Sequence, residues 1–330
     1  KKDLVLIGAG HANIEVIKYI GKLKLEGLRI TLISNNYYST YSGMVPGYIE
    51  GVYNWNEINI DLIKLSVQFN VNIIIAEILE ISAKENRVFL KKRPPVEFDY
   101  LSINLGIVSN IKNIYGAKEN AFFLKPISEI KNTVFSILKS QSKNIVIVGG
   151  GAAGVEVSLA LKERFNKSKI KKNIILISKN STLMQNYPVD VSNSLKNELI
   201  KKNINIILNS NVTRINKTEV EINGFSKIKS SCTILATDAQ APEIVKKSDL
   251  KVSKKGFISV SDTLQTKNHL NIFAVGDIAD IDNQKLVKAG VYAVRQADTL
   301  KRNLERIYKN KKLVKFVPQE AYLSIVGITN

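Results

Sequence analysis

The chain alternates short apolar runs with amphipathic stretches, and the first such pair opens it: Leu4-Val-Leu-Ile-Gly8-Ala-Gly10-His11. An unbroken apolar run that ends at glycine predicts a strand buried on both faces. The residues after it, to about Lys24 with Gly27 close behind, carry apolar positions at helical spacing. Residues 29–33 (Arg-Ile-Thr-Leu-Ile) read as the next strand, so this stretch predicts one β-α-β unit. The segment Tyr37–Gly47 holds two glycines, a proline and three tyrosines, the mark of a structured loop or helix entry and not of a core strand. Further strands are expected at about 71–76, 87–90 and 99–105, then a crossover around Phe122–Pro126 and a helix over about 128–140.

From Lys143 the pattern begins again. A strand is expected at 144–148, a turn at 149–154, a helix to about Phe165, a strand at 173–178, a helix at about 190–201, and strands at 204–208 and 232–236. Segment 256–277 reads as the returning end of the first unit, followed by a helix from about Lys288 to Tyr308. The closing run Ala321-Tyr-Leu-Ser-Ile-Val326 is strand-like but has no partner strand in the sequence, which predicts a truncated chain.

The two glycine turns, Gly8-Ala-Gly10 and Gly149-Gly-Gly151-Ala-Ala-Gly154, each join an apolar run to a helical pattern. In that setting glycine lets the backbone turn sharply, and the helix behind it aims N–H groups and the positive end of its dipole at a pyrophosphate. One such turn is weak evidence. Two in order, followed by Asn271-Ile-Phe-Ala-Val-Gly276-Asp277, predict two bound dinucleotides, FAD and NAD(P)H, and hence electron transfer. The expected fold class is α/β with two Rossmann-like domains, the nicotinamide domain inserted into the FAD domain. The expected boundaries are 1–125 for the first part of the FAD-binding domain, 126–245 for the NAD(P)H-binding domain, 246–310 for the second part of the FAD-binding domain, and 311–330 for the start of a truncated C-terminal segment.

Composition narrows this picture. The 330 residues are 45% hydrophobic, enough for two or three cored domains, and no apolar run reaches the ~20 residues of a membrane span. No signal peptide is visible, so the expected location is the cytoplasm, with peripheral contact at the inner membrane face as an extension. The single cysteine, Cys232, excludes an internal disulfide and a Cys-x-x-Cys pair, and the two separated histidines, His11 and His269, offer no zinc site. A formal charge of +19 raises nucleic acid as a partner, but the lysines are scattered in pairs over predicted turns and helix ends, so no nucleic acid is expected. The dense stretch 301–315, seven Lys/Arg against Glu305, reads either as a solvated helix and tail or as contact with an anionic membrane or an acidic protein.

The order of both turns, Ala274-Val-Gly-Asp277 and Lys288-Ala-Gly-Val-Tyr-Ala-Val-Arg-Gln296 resembles the flavoproteins with two dinucleotide-binding domains (the pyridine nucleotide-disulfide oxidoreductase superfamily), in the branch of type II NADH:quinone oxidoreductases. Gly10-His11, Tyr41-Ser-Gly-Met-Val-Pro-Gly47 and Lys288–Gln296 resemble, more narrowly, the flavoprotein half fused to selenide water dikinase in some bacteria. The resemblance covers nearly the whole chain. It implies a fusion or functional link to that enzyme, and a quinone or similar small molecule as electron acceptor.

The resemblance also implies roles. Asp277, after Gly276, would bind the flavin ribityl hydroxyls, with an N-cap as the competing reading. Pro46 would lie against the isoalloxazine. The helix starting near Ala289 would point its dipole at the flavin edge where charge develops, with Lys288 adding a positive charge or standing as a surface lysine. Glu156 would orient the nicotinamide or relay a proton, unless it is a solvent-facing helix residue. Lys125 would sit at the crossover between domains, or be an ordinary hinge residue. His11 faces the pyrophosphate in the first turn, or packs at the helix start.

Departures matter as much. Asn13 replaces the third glycine of the first turn, which predicts looser helix–strand packing. Ser34 and Ser178 stand where each second strand should end in an acid for the ribose 2′-hydroxyl. With Lys179 adjacent to Ser178, NADPH should be accepted. Ala289-Gly290 stands in place of an Ala-Gln pair, and Thr237-Asp238-Ala239 in place of Thr-Gly-Ala. Quinone is therefore one acceptor among several, beside small carriers and selenium species. The rival reading is a flavin-binding regulatory or scaffolding module.

Overall fold

A computed structural model of the chain describes residues 1–282, 284, 286, 288 and 290–319. Ala289 and the run 321–326 lie outside the described residues. The described part divides into two compact units. One comprises Lys1–Tyr41, Asn59–Val108 and the chain from Gln240 onward; the other comprises Ser42–Ile58 and Ser109–Ala239.

The first unit is built on five parallel strands in the spatial order Ile272–Ala274, Tyr100–Ile103, Lys2–Ile7, Leu28–Ser34, Asn72–Ile75. The second repeats the arrangement with Phe122–Phe123, Cys232–Leu235, Asn144–Val148, Asn173–Ile177, Asn205–Ile207. In each, the strand that carries the glycine turn has the next strand of the chain on one side and a late-returning strand on the other. That reversal of strand order leaves a crevice at the carboxyl ends, where open α/β sheets bind ligands.

The apolar runs behave as a doubly covered sheet requires. In the second unit Ile145, Ile147, Ile174, Leu176 and Ile234 face a core completed by the helices Ala152–Lys167 and Val189–Lys201. The alternate residues Val146, Val148, Ile175, Ile177 and Leu235 face a second core on the other side of the sheet. That second face is covered by an antiparallel meander, Val212–Ile215, Glu219–Ile222 and Ser226–Lys229. The first unit has the matching meander, Ile78–Ser82, Arg87–Leu90 and Arg93–Glu97. Apart from the strand at 87–90, these meanders escape the apolar pattern, because their strands are short and rich in charge: Arg214, Glu219, Glu221, Lys227 and Lys229 lie in the second one.

Segment Tyr37–Gly47 forms a short strand, Tyr38–Thr40, a single turn over Ser42–Met44, and the start of the helix Val45–Glu50. Val45 and Ile49 from that helix are buried in the core of the second unit, and Glu50 pairs with Lys167 at 2.6 Å.

The basic stretch 301–315 is less free than its sequence implies. Lys301 and Arg302 each pair with Asp298 at 3.1 Å, Lys309 with Glu305 at 2.6 Å, and Lys315 with Asp262 at 2.8 Å. Its helix, Gly290–Tyr308, buries Tyr292, Gln296, Leu300 and Asn303 on one face. Asn303 binds the backbone of Val314 in both directions, which folds the following segment back onto the helix. Among the described residues no helix is long and apolar enough to cross a membrane.

Asn13 corrects the expectation of loose packing. In the second turn a Cβ on Gly154 would stand 1.8 Å from the Gly149 carbonyl, so glycine is required there. At the equivalent place in the first turn, the fully buried Asn13 donates through Nδ2 to the carbonyls of Gly8 at 2.8 Å and Ile7 at 3.0 Å. Its Oδ1 accepts from the Ser102 hydroxyl at 2.6 Å. The side chain fills the gap with hydrogen bonds and stitches helix to sheet. Asn13→Ala strands these buried groups and should lower the unfolding free energy by about 2–3 kcal/mol, read as a lower urea midpoint; an unchanged midpoint would show the stitching to be idle.

Candidate functional site

The first turn is shaped by a residue the motif does not include. Asn104, just after the strand Tyr100–Ile103, accepts through Oδ1 from the backbone N–H of Ala12 at 3.1 Å and of Asn13 at 3.3 Å. Its Nδ2 donates to the Val275 carbonyl at 3.0 Å. A Cβ on Gly8 would stand 2.6 Å from the Asn104 carbonyl, one on Gly10 2.3 Å from Asn104 Oδ1, and one on Gly276 2.8 Å from Asn104 Nδ2. Gly8 at φ +81° and Gly276 at φ +73° also hold a backbone conformation that a side chain disfavours. One residue thus crowds all three glycines, Gly8 through its backbone carbonyl and Gly10 and Gly276 through its side-chain amide. Asn104 could have been sought at the end of the strand beside the first, but no motif marks it.

Gln296 closes the same site from the helix Gly290–Tyr308: its Oε1 accepts from the Gly276 N–H at 2.6 Å. Asp277 follows on a half-buried turn and lines a recess with Asp280, Lys288, Tyr292 and Gln296. Gln284 Oε1 lines that recess too, buried and without a hydrogen-bond partner among the described residues. A carboxylate beside an unsatisfied acceptor fits a ligand rich in hydroxyls, as the ribityl chain of FAD is.

Lys288 is mostly buried. Its ammonium donates to Asp280 Oδ1 and to the Ala279 carbonyl, both at 2.6 Å, and lies 4.0 Å from the Phe257 ring centre. Burial pushes its pKa below the usual lysine value, while Asp280, and behind it Asp277, hold the charge. The ion pair points Lys288 at Asp280, so its charge is already committed beside Asp277.

His11 starts the first helix and its ring lies 4.8 Å from that of Tyr41. Burial pushes its pKa below the usual 6.5, so the neutral imidazole prevails near neutrality. Ser34 is buried, and its hydroxyl donates to the Asn36 carbonyl at 2.9 Å and accepts from the Asn36 N–H at 3.2 Å.

In the second unit, Gly149 takes φ +127°, and a Cβ there would stand 2.2 Å from the Ala236 carbonyl. The helix Ala152–Lys167 starts from Gly151 with no side-chain cap, and a Cβ on Gly151 would meet nothing within 4 Å. An uncapped helix start facing open space is what a pyrophosphate needs. Ser178 repeats the Ser34 geometry, accepting the Asn180 N–H at 3.2 Å. Lys179 pairs with Asp238 at 2.6 Å. Glu156 is half-buried in the helix behind the turn. Pro46 and Lys125 also fall in this unit, Pro46 at the start of the helix Val45–Glu50.

Cys232 is wholly buried in its strand, and burial pushes its thiol up to about 11. A thiol so held stays protonated and unreactive.

The fold has counterparts among known proteins. Residues 2–297 match the family described as pyridine nucleotide-disulphide oxidoreductase. The chain belongs to that family. It is 24% identical over 332 residues to the NADH dehydrogenase-like protein YutJ of Bacillus subtilis (strain 168), covering 99% of this chain and 89% of that protein. It is 24% identical over 370 residues to a type II NADH:quinone oxidoreductase of Haemophilus influenzae, covering 96% of this chain and 82% of that one. Among solved structures, reduced CoADR-RHD of Bacillus anthracis has the same fold with a TM-score of 0.84 at 19% identity, over 96% of this chain and 58% of that chain. The family sets the class of chemistry: an oxidoreductase with FAD and NAD(P)H as cofactors.

The neutral state of His11 gives a pH signature. Because folding lowers its pKa, the stability it contributes is fully present above about pH 6.5 and is lost as pH falls through the folded-state value. His11→Asn should flatten that part of the acid limb between about pH 5 and 7, measured by urea unfolding; an identical limb in the variant would place the acid sensitivity elsewhere.

Proposed function

We propose that this chain is an NAD(P)H dehydrogenase that passes electrons to a quinone or a similar small acceptor without a redox disulfide. The observation that carries the reading is the pairing of two dinucleotide turns with a single cysteine that is buried and protonated. The family is named for disulphide chemistry, but one inert thiol supplies no dithiol. The relatives named as NADH dehydrogenase-like and as NADH:quinone oxidoreductase support a non-thiol acceptor. A selenium species belongs in the same acceptor panel on the strength of the narrower sequence resemblance alone.

Bound FAD supplies the two-electron centre between reduced nicotinamide and the acceptor. The chain's own residues hold and tune it. Gly8, Gly10 and the helix start at His11 take the pyrophosphate of FAD, and the Asp277 carboxylate accepts hydrogen bonds from the ribityl hydroxyls. Asn104 and Gln296 act as positioning residues, since they fix the turn on which Asp277 rides. Gly149, Gly151 and Gly154 take the nicotinamide dinucleotide, with Ser178 and Lys179 beside its adenosine ribose. Glu156 orients the nicotinamide or holds a proton for the acceptor, and the dipole of the helix Gly290–Tyr308 with Lys288 favours negative charge at its N-terminal end.

Anaerobic NADH or NADPH should bleach the yellow protein, and an acceptor should restore its colour; a protein that stays oxidised with both nucleotides is a flavin-binding module instead. Asp277→Ala should purify largely without flavin, and full occupancy in that variant would refute the ribityl assignment. Cys232→Ser should leave the rate of flavin reduction nearly unchanged, whereas a tenfold loss, about 1.4 kcal/mol of barrier, would bring the thiol into the reaction.

A further inference from the structure

The strand order of the second sheet makes one ion pair more informative than its exposure implies. Lys179 lies just past the strand Asn173–Ile177 and Asp238 just past the strand Cys232–Leu235. Both strands pair with Asn144–Val148, from opposite sides. Neighbouring strands lie about 4.8 Å apart, so the two flanks are separated by roughly 10 Å. The 2.6 Å contact between Lys179 Nζ and Asp238 Oδ2 closes that gap. The bridge therefore joins the two flanks of the central strand, whose turn begins between Ala236, beside Gly149, and Ser178, beside Gly150.

Both ends of this strap stand on fixed backbone. The Asp238 carbonyl accepts the Asn110 N–H at 2.9 Å, and the hydroxyl of the preceding Thr237 donates to the Asn110 carbonyl at 2.9 Å. Beside Lys179, Ser210 donates its N–H to the Ser178 carbonyl at 2.9 Å and Asn209 to the Asn180 carbonyl at 3.0 Å. The bridge itself faces solvent, with side-chain exposures of 61% for Lys179 and 73% for Asp238. An exposed pair of this kind is weak and easily exchanged. Asp238 is also the residue that stands where the resemblance has glycine.

We propose that Asp238 sets the nucleotide preference of the second turn by holding Lys179 across it, so that the lysine reaches a ribose 2′-phosphate only by giving up Asp238. This deepens the proposed function and rests on a nicotinamide dinucleotide binding at Gly149–Gly154. In this class of turn the end of the second strand is where the adenosine ribose lies, and Ser178, next to Lys179, brings no carboxylate to repel a 2′-phosphate. The only carboxylate the ion pair brings to this mouth comes from the opposite flank, through Asp238. It competes with the phosphate for the same ammonium, and a ligand without the 2′-phosphate offers nothing in exchange.

The test is calorimetric titration of the flavin-loaded full chain with adenosine 2′,5′-bisphosphate and with adenosine 5′-monophosphate, neither of which can be oxidised or reduced. Asp238→Asn should tighten the bisphosphate about two- to fivefold, as expected from an exposed pair, with the monophosphate changing less and the gain shrinking at high salt. Lys179→Ala should weaken the bisphosphate selectively, and Asp238→Asn should then add nothing. An equal gain for both ligands, or a gain that survives in the Lys179→Ala background, would overturn the proposal, because Asp238 would then act as a general negative charge. No change in Asp238→Asn overturns it as well. If no variant binds either ligand, nor NADH or NADPH, the function reading itself falls, which sets that failure apart from the others.

Discussion

The hydrogen bonds of a single buried amide, Asn104, hold the first site together. Its oxygen takes two N–H groups of the first helical turn, and its nitrogen holds the carbonyl just ahead of Gly276. Three strands of the sheet therefore converge on one residue: that of Lys2–Ile7 through Gly8 and Gly10, that of Tyr100–Ile103 through Asn104 itself, and that of Ile272–Ala274 through Val275 and Gly276. Any Cβ on those glycines would collide with it or with its backbone. The glycines are required by what approaches them as much as by their own dihedral angles.

The two units share a plan and differ at the point of contact with the ligand. In the first, protein groups already satisfy part of the helix start, and Asn13 bonds the very carbonyl that in the second turn leaves room only for Gly154. In the second, the helix begins uncapped behind an open Gly151, and a solvent-exposed ion pair joins the two flanking loops. A closely built cradle accords with a cofactor that stays, and an open one with a nucleotide that comes and goes. A three-stranded antiparallel meander recurs in both units, and in the second it is laid over one face of the sheet.

Charge in this protein is spent locally. Despite a formal +19, the dense stretch 301–315 commits Lys301, Arg302, Lys309 and Lys315 to carboxylates of the same unit. Lys288 is committed to Asp280, and Lys179 to Asp238. Exposed pairs of this sort add little stability, but they decide which cations an incoming anion finds unengaged. Pairing leaves the formal +19 unchanged, since the carboxylates are already counted in it, but it fixes which basic side chains are engaged.

The sequence by itself determined the two parallel sheets and their order in the chain, because strands buried on both faces must be written as unbroken apolar runs and glycine turns leave a literal signature. The strands at 87–90 and 144–148 fall at the residues the pattern names. It also determined that no dithiol operates within the chain, since one cysteine cannot make a pair. Only the tertiary structure decided the rest. The antiparallel meanders are short and charged, so their pairing is set by what they cover and not by their own periodicity. The helix Val45–Glu50 joins the core of the second unit although it lies within the first half of the chain, a choice made by Val45 and Ile49 finding apolar partners far away in sequence. Asn104 was unmarked, and the contacts of Gln296 and Asp238, though both residues stand in segments the sequence singles out, were illegible for the same reason: each acts on a turn remote in the chain, and hydrogen-bond and ion-pair partners follow from distance in space, which linear spacing does not record.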